Sequence, residues 1–500
     1  MKASNTTLKE IILLYIIPVL LVVTPALLYI GYRAYHFSFT CDESLSFFIA
    51  RYHDQQYATS ANNHLLNTGL MKVFGVLFGD SEFSLRLPNV LAFVLFSIAG
   101  LGILKNIKKP ELSVFFMAIL VFNPIMLEFF GLARGYGLSI GLLLASFYFL
   151  FKLENQALPV SKYLVYLVLC LVFSLLALYA NLNSLNIHIA FLAVLITGLF
   201  LYIRTAKENI DRKKWIAVFA AVFGIDIIAL IPAITKLRML QQLNAFVGFG
   251  DHQGLIKTTL QSLITYFYFH EQDFPTTFNI IRVFVITTFA LTCLWFLYSL
   301  TRKVFNNFSR IFLIFSLLLI APVLQEVFFN IPYPADRTAI LYYPVFSLLL
   351  IFFIVELIRA SKKSFLRVSI VFSTIVISSL ITYNIFIKHN LVNTVEWYYE
   401  AHNKEILEVI SKDRIAQGSQ DSVSISNFWA LAPAINYYRV TKPYPWLLPS
   451  AKEDYKKADY YICFYNEESK IPSDSLQLLI KFDDVRMAAY REYKPDKKVQ

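Results

Sequence analysis

The chain has 500 residues, a mean hydropathy of +0.56, 57% hydrophobic and 16% charged residues, and a formal charge of +11. Soluble domains carry roughly 25% charged residues, so this composition excludes a disordered chain, a disulfide-stapled secreted domain and an ordinary cytosolic enzyme. The excess of Lys and Arg fits loops held on the cytoplasmic side of a membrane, and no segment interleaves basic with stacking aromatic residues, so no nucleic-acid partner is expected.

A membrane span needs about 20 mostly apolar residues. Eleven segments qualify, near 11–31, 84–104, 112–131, 134–151, 163–180, 187–203, 215–234, 279–300, 311–329, 339–358 and 368–388. The first follows Lys2 and Lys9 and is too long for a signal-peptide core, so it reads as an uncleaved signal-anchor. With the N-terminus inside, the intervals alternating to the cytoplasm hold nineteen Lys and Arg, whereas the short outer intervals 181–186 and 330–338 hold only Arg337. This asymmetry predicts an inside N-terminus, and an odd span count puts the C-terminus outside. The expected architecture is an all-α polytopic bundle over residues 1–388, with outer loops at 32–83 and 235–278, and a small α/β extracytoplasmic domain over 389–500. In that tail Asp421–Asn427, Tyr460–Tyr465 and Arg486–Tyr490 read as strands and Ala401–Lys412 as a helix. The compact tail and the absence of organelle signals favour a bacterial inner membrane over an endoplasmic one. None of the four cysteines has metal-ligand spacing, and a Cys41–Cys463 bridge is disfavoured.

Ionisable groups at a membrane boundary need partners, so they are functional candidates. Asp42 and Glu43 open the first outer loop. Adjacent carboxylates can supply a general base, or Asp42 can simply cap the helix that follows. His64 can bind a phosphate oxygen, polarise a hydroxyl, or be merely hydrogen-bonded. Lys72 lies on an amphipathic run that suits an interfacial helix. Arg86 reads as a head-group anchor. Glu128 and Arg134 flank the short junction of the third and fourth spans. They can pair with each other, or Arg134 can grip a phosphate while Glu128 holds a hydroxyl. Arg337 stands on a Pro-stiffened turn that Asp336 orients. Asp226 and Glu326 read as packed structural acids.

Asp42-Glu43, Asn63-His64, Leu85-Arg86-Leu87-Pro88 and Ala133-Arg134-Gly135-Tyr136, in this order and on this side, resemble the GT-C membrane glycosyltransferases. The nearest resemblance is to the protein O-mannosyltransferase and aminoarabinose-transferase group (glycosyltransferase family 39/83-like). It covers about the first 150 residues, and the Arg337 turn extends it more loosely. The group's usual His-Pro-Pro pattern reads Asn63-His64-Leu65 here.

The resemblance implies a polyprenyl-phosphate sugar donor, an outer-face reaction, Asp42 as base, and Glu128 as the second acidic position. Acceptors in the group include glycans, lipids and proteins. On this expectation Asp42, Glu43 and Glu128 are catalytic, and Arg134, Arg337, His64 and Lys72 bind the donor phosphate. An obligatory divalent metal is not expected, because the oxygen-ligand set is thin. The second outer loop, with Phe246, Phe249, Tyr266 and Tyr268, covers the site. The competing classes are a lipid-linked sugar transporter or flippase and a non-catalytic assembly subunit. The low glycine content and absence of repeats weigh against the transporter.

Overall fold

A computed structural model describes residues 7–54, 60, 62–154, 158–205, 212–243, 250–268, 275–418, 420–451, 453–473 and 475–493. Among them ten helices are long and apolar enough to cross a membrane, and the protein is an integral membrane protein. The helix Asp336–Ala360 is the most enclosed, with 89% of its apolar window buried, whereas Pro275–Thr301 at 11% and Ser364–Lys388 at 17% turn their side chains outward to lipid.

The third predicted span, 112–131, is not one helix. It breaks into Pro110–Val121 and Pro124–Phe130, which meet at 75°. Pro124 has no N–H and disfavours a helical residue before it, so Asn123 goes extended at φ −122°, ψ 122°. The Asn123 side chain then accepts from Met126 N at 2.8 Å and caps the second piece. Counted as one span, the bent pair makes eleven.

After Phe130 the backbone leaves the helix again before Gly135–Lys152 begins. Non-helical backbone at membrane depth must be satisfied within protein, and at Ala133 both backbone groups are. Ala133 N donates to Glu43 Oε1 at 2.6 Å, and Asn67 Nδ2 donates to Ala133 O at 2.8 Å. Asn89 holds Asn67 Oδ1 with its amide and accepts from Leu138 N. Glycine is needed where this turn meets its neighbours. A Cβ on Gly135 would lie 1.8 Å from Ala180 O and 2.8 Å from His64 Cβ. Gly135→Ala is expected to destabilise the protein by about 3 kcal/mol through backbone displacement. Gly31→Ala, with nothing within 4 Å, is the neutral control. Thermal unfolding in detergent checks this, and equal melting temperatures for the two variants would remove the argument.

The helix ends assigned by charge to the outer side meet on one face. Arg86 reaches Ala34 O, Ala133 reaches Glu43, and Val395 N reaches Glu128. On the opposite face Arg310, one of the nineteen basic residues in the intervals assigned to the cytoplasm, is buried and donates to Leu150 O at 2.9 Å and Leu153 O at 3.0 Å. It satisfies the last carbonyls of Gly135–Lys152.

The tail forms a four-stranded sheet in the order Ile425–Asn427, Tyr460–Phe464, Met487–Glu492, Leu476–Phe482, with the first pair parallel and the others antiparallel. The three expected strands and the helix, here Asn403–Ala416, are present. The edge strand Leu476–Phe482 and the helix Ala432–Thr441 were not expected. That helix carries Pro433 in its first turn and the β-favouring run Tyr437-Tyr438-Arg439-Val440-Thr441, so its local propensity points away from helix while burial holds it. The tail shares one core with the first outer loop. Phe39, Phe47, Met71 and Leu85 pack with Leu407, Leu431 and Tyr437, and Phe39 N donates to Tyr438 Oη at 2.7 Å. Among the described residues no disulfide forms, and Cys41 and Cys463 are each buried.

Candidate active site

The site begins with a helix cap. Thr40, not Asp42, caps Cys41–Tyr52, in a reciprocal box with Glu43. Thr40 Oγ1 accepts from Glu43 N at 3.4 Å, and Glu43 Oε2 accepts from Thr40 N at 3.0 Å. Asp42 is thereby left for other work.

Glu43 is fully buried and its acceptor positions are taken. Arg86 grips it in a fork, Nε to Oε1 at 2.8 Å and NH2 to Oε2 at 2.6 Å, and Ala133 N joins Thr40 N as a further donor. Arg86 is therefore no head-group anchor. It is fully buried and also donates to Phe37 O and Ser38 O at 2.8 Å, closing the C-terminal end of the first span.

Glu128 and Arg134 do not pair with each other. Glu128 Oε2 takes Arg33 NH2 at 2.6 Å, and Oε1 takes Val395 N at 3.1 Å. Arg33 also donates to Asn390 O. This knot ties the first span and the third to the segment leading into the tail.

Arg134 turns to Asp42. Its NH2 lies 3.2 Å from Asp42 Oδ2, and its NH1 donates to Asp42 O and Asn62 O, each at 3.2 Å. Arg337 approaches the same Oδ2 at 3.3 Å through NH1, and Asn62 Nδ2 donates to Oδ1 at 3.3 Å. Asp42 is thus a buried carboxylate between two guanidiniums, and all three come from distant stretches of chain. Arg337 is carried on the short turn Asp336–Ala339, which Asp336 enters at φ 50° and with its N–H bonded to Ser262 Oγ.

Two residues that sequence reading did not single out complete the cluster. Glu396 Oε2 stands 3.8 Å from Arg337 NH1. The Trp397 ring lies 5.2 Å from the Arg337 guanidinium and 6.0 Å from that of Arg134. Burial, then the Glu128 and Asp42 carboxylates, push the Glu396 carboxyl up to about 7, with Arg134 opposing. Nearby Glu400 is raised well above the usual carboxylate range, chiefly by burial, against the hydrogen bond from Cys41 N at 2.7 Å. Its Oε1 has no partner among the described residues.

His64 is buried beside the cluster, edge-on to Tyr136 at 5.1 Å, and its Nε2 has no partner among the described residues. Burial, then Arg134, Lys236 and Arg337, hold its pKa well below the ordinary value, so the ring is neutral. Lys236, which sequence reading passed over, donates to Asn63 O at 2.7 Å and fixes the strand of chain that carries His64. Lys72 is exposed on Leu65–Phe78, and among the described residues no hydrogen bond or ion pair joins it to Asp42, Arg134 or Arg337. In the second outer loop, Phe246 and Phe249 lie outside the described residues. Gln261–Phe267, with Tyr266 buried, packs against the Arg337 turn. Asp226 pairs with His188 at 3.0 Å, and Glu326 with His252 at 2.8 Å, both away from this cluster. Among the described residues no group of three His, Cys, Asp or Glu side chains is placed to hold a metal ion.

No protein-family model and no curated protein matches the chain. Among solved structures it is similar to ArnT from Cupriavidus metallidurans in the apo state, at 12% identity and a TM-score of 0.49, over 94% of this chain and 97% of that one. It is similar to the same protein bound to undecaprenyl phosphate at 12% identity and a TM-score of 0.44, over the same shares. The archaeal oligosaccharyltransferase AglB from Archaeoglobus fulgidus, in complex with an inhibitory peptide and a dolichol-phosphate, matches at 12% identity and a TM-score of 0.43, over 92% of this chain and 70% of that one.

Proposed function

We propose that the chain is a GT-C-type membrane glycosyltransferase that moves a sugar from a polyprenyl-phosphate donor to an acceptor hydroxyl at the extracytoplasmic face, with inversion. The observation that carries the reading is the convergence of Asp42, Arg134 and Arg337 on one face of the bundle. It joins a carboxylate that can act as base to two forks that suit a phosphate, and it falls on the positions where the sequence resembles that family. Residues 1–388 form the catalytic unit and 389–500 an outer domain that covers it. The setting is a bacterial inner membrane with the N-terminus inside.

In the reaction Asp42 takes the proton of the acceptor hydroxyl. The acceptor oxygen bonds to the anomeric carbon as the carbon–phosphate oxygen bond breaks, and the lipid phosphate leaves with its charge. No strong acid is needed, because a phosphate leaves readily. Arg134 and Arg337 neutralise the departing charge where it develops. Glu43 and Glu128 act as positioning residues, since Arg86 and Arg33 hold them. His64 faces the cluster as a neutral hydrogen-bonding group, and Lys72 is left out of the site. The lipid chain lies between spans, and the second outer loop covers the sugar.

The test is transfer by the purified full chain in proteoliposomes, using a panel of labelled polyprenyl-phosphate sugars and extracted cell-envelope acceptors. Label moved from the polyprenyl phosphate to an acceptor supports the proposal. Lipid scrambling without transfer would sink it in favour of a carrier. Arg337→Ala is expected to weaken binding of polyprenyl phosphate about 10- to 100-fold by removing one charge-assisted contact. Unchanged affinity would take Arg337 out of the phosphate site.

A further inference from the structure

Glu396 stands where the last span hands over to the tail, and it takes no part in the proposed transfer step. Its carboxylate lies 3.8 Å from the same Arg337 NH1 that stands 3.3 Å from Asp42. The next residue, Trp397, presents its ring to both guanidiniums. Arg337 is therefore shared between two carboxylates and an aromatic face.

The charged and titratable groups that act on Glu396 or on the Arg337 it shares are Asp42, Arg134, Glu128, Tyr136, Tyr399 and Asp336. Glu128 is neutralised by Arg33. The side chains at ion-pair distance from one another are then two guanidiniums against Asp42 and Glu396. With Glu396 ionised this group is neutral. With Glu396 protonated it carries one positive charge, the sign that a phosphate needs.

We propose that Glu396 is a positioning residue that holds Arg337 in the unliganded protein and yields it, by taking up one proton, when a lipid phosphate binds. The inference rests on reading Arg134 and Arg337 as the phosphate clamp. In the exchange the Arg337–Glu396 ion pair breaks, an Arg337–phosphate pair forms, and the carboxylate becomes a neutral carboxyl. The proton comes from water, which reaches the side chain because it is 24% exposed. The position of the Glu396 carboxyl, about 7, puts this exchange in the range where small changes of pH matter.

The sign follows from linkage. Protonated Glu396 favours the bound anion, so affinity is highest at low pH and falls as pH rises through about 7, by up to about tenfold per unit for one linked proton. The probe is farnesyl methyl phosphate, a phosphodiester and so a monoanion throughout, titrated calorimetrically into the purified full chain from about pH 5.5 to 9. Wild type should show the falling affinity together with proton uptake in buffers of different ionisation enthalpy. Glu396→Gln should bind at the wild-type low-pH affinity across the range, without proton uptake, and Glu396→Asp should restore the slope. Wild-type binding independent of pH, or a Glu396→Gln variant that keeps the slope, overturns the role of Glu396 while leaving the clamp standing. Failure of wild type to bind the probe at any pH overturns both.

Discussion

Asp42→Asn is expected to abolish transfer while sparing the protein and its grip on the donor. The exchange removes the carboxylate that, among the described residues, meets both of the proposed phosphate-binding arginines, and general-base removal costs about 100- to 10,000-fold in rate. The fold should survive, because Thr40 and Glu43 rather than Asp42 cap the helix. Donor affinity should hold or tighten, because Asp42 competes with a phosphate for Arg134 and Arg337. The expected signature is a fall in kcat with KM for the donor unchanged or lower, in protein of normal melting behaviour. Transfer at near wild-type rate would falsify the base assignment, and a rise in donor KM alone would recast Asp42 as a binding group.

Arg86→Ala is expected to have the largest effect on stability. Its guanidinium is wholly enclosed and joins Glu43 to the carbonyls of Ala34, Phe37 and Ser38. Truncation leaves a buried carboxylate without its counter-ion and carbonyls at a helix end without donors, a loss of about 3–5 kcal/mol. Arg86→Lys keeps the charge but not the fork, so it should fall between. Thermal unfolding in detergent ranks the three proteins. An alanine variant that melts with wild type would show that the ion pair does not hold the loop.

The two substitutions separate residues that neighbour each other in sequence. Asp42 and Glu43 form an acidic pair on paper, but successive residues on a helix point about 100° apart. One faces Arg134 and Arg337, and the other is locked to Arg86. Glu128 and Arg134 likewise read as a pair across a short junction. The break at Asn123-Pro124 aims Glu128 toward Arg33, and the turn at Gly131–Arg134 aims Arg134 toward Asp42. The Asn-Pro dipeptide was a visible signal of that break. Glu396, Trp397, Glu400 and Lys236 had no comparable signal. They sit in no motif, and only the packing of the tail and of the Arg212–Gln242 helix brings them to the cluster.

Composition and apolar run length by themselves determined that this chain is a membrane protein, roughly where its spans lie, and that its basic residues fall in alternate intervals between them. Those properties are local sums, because lipid solvates each span separately and sorts charge loop by loop. The sequence alone also picked out Asp42, Arg134 and Arg337 near span ends, together with Glu43, Glu128, His64 and Lys72. Only the tertiary structure decided which charge answers which. A buried ion pair depends on distance and orientation, and residues 42, 134, 337 and 396 become neighbours through helix packing that no local pattern encodes.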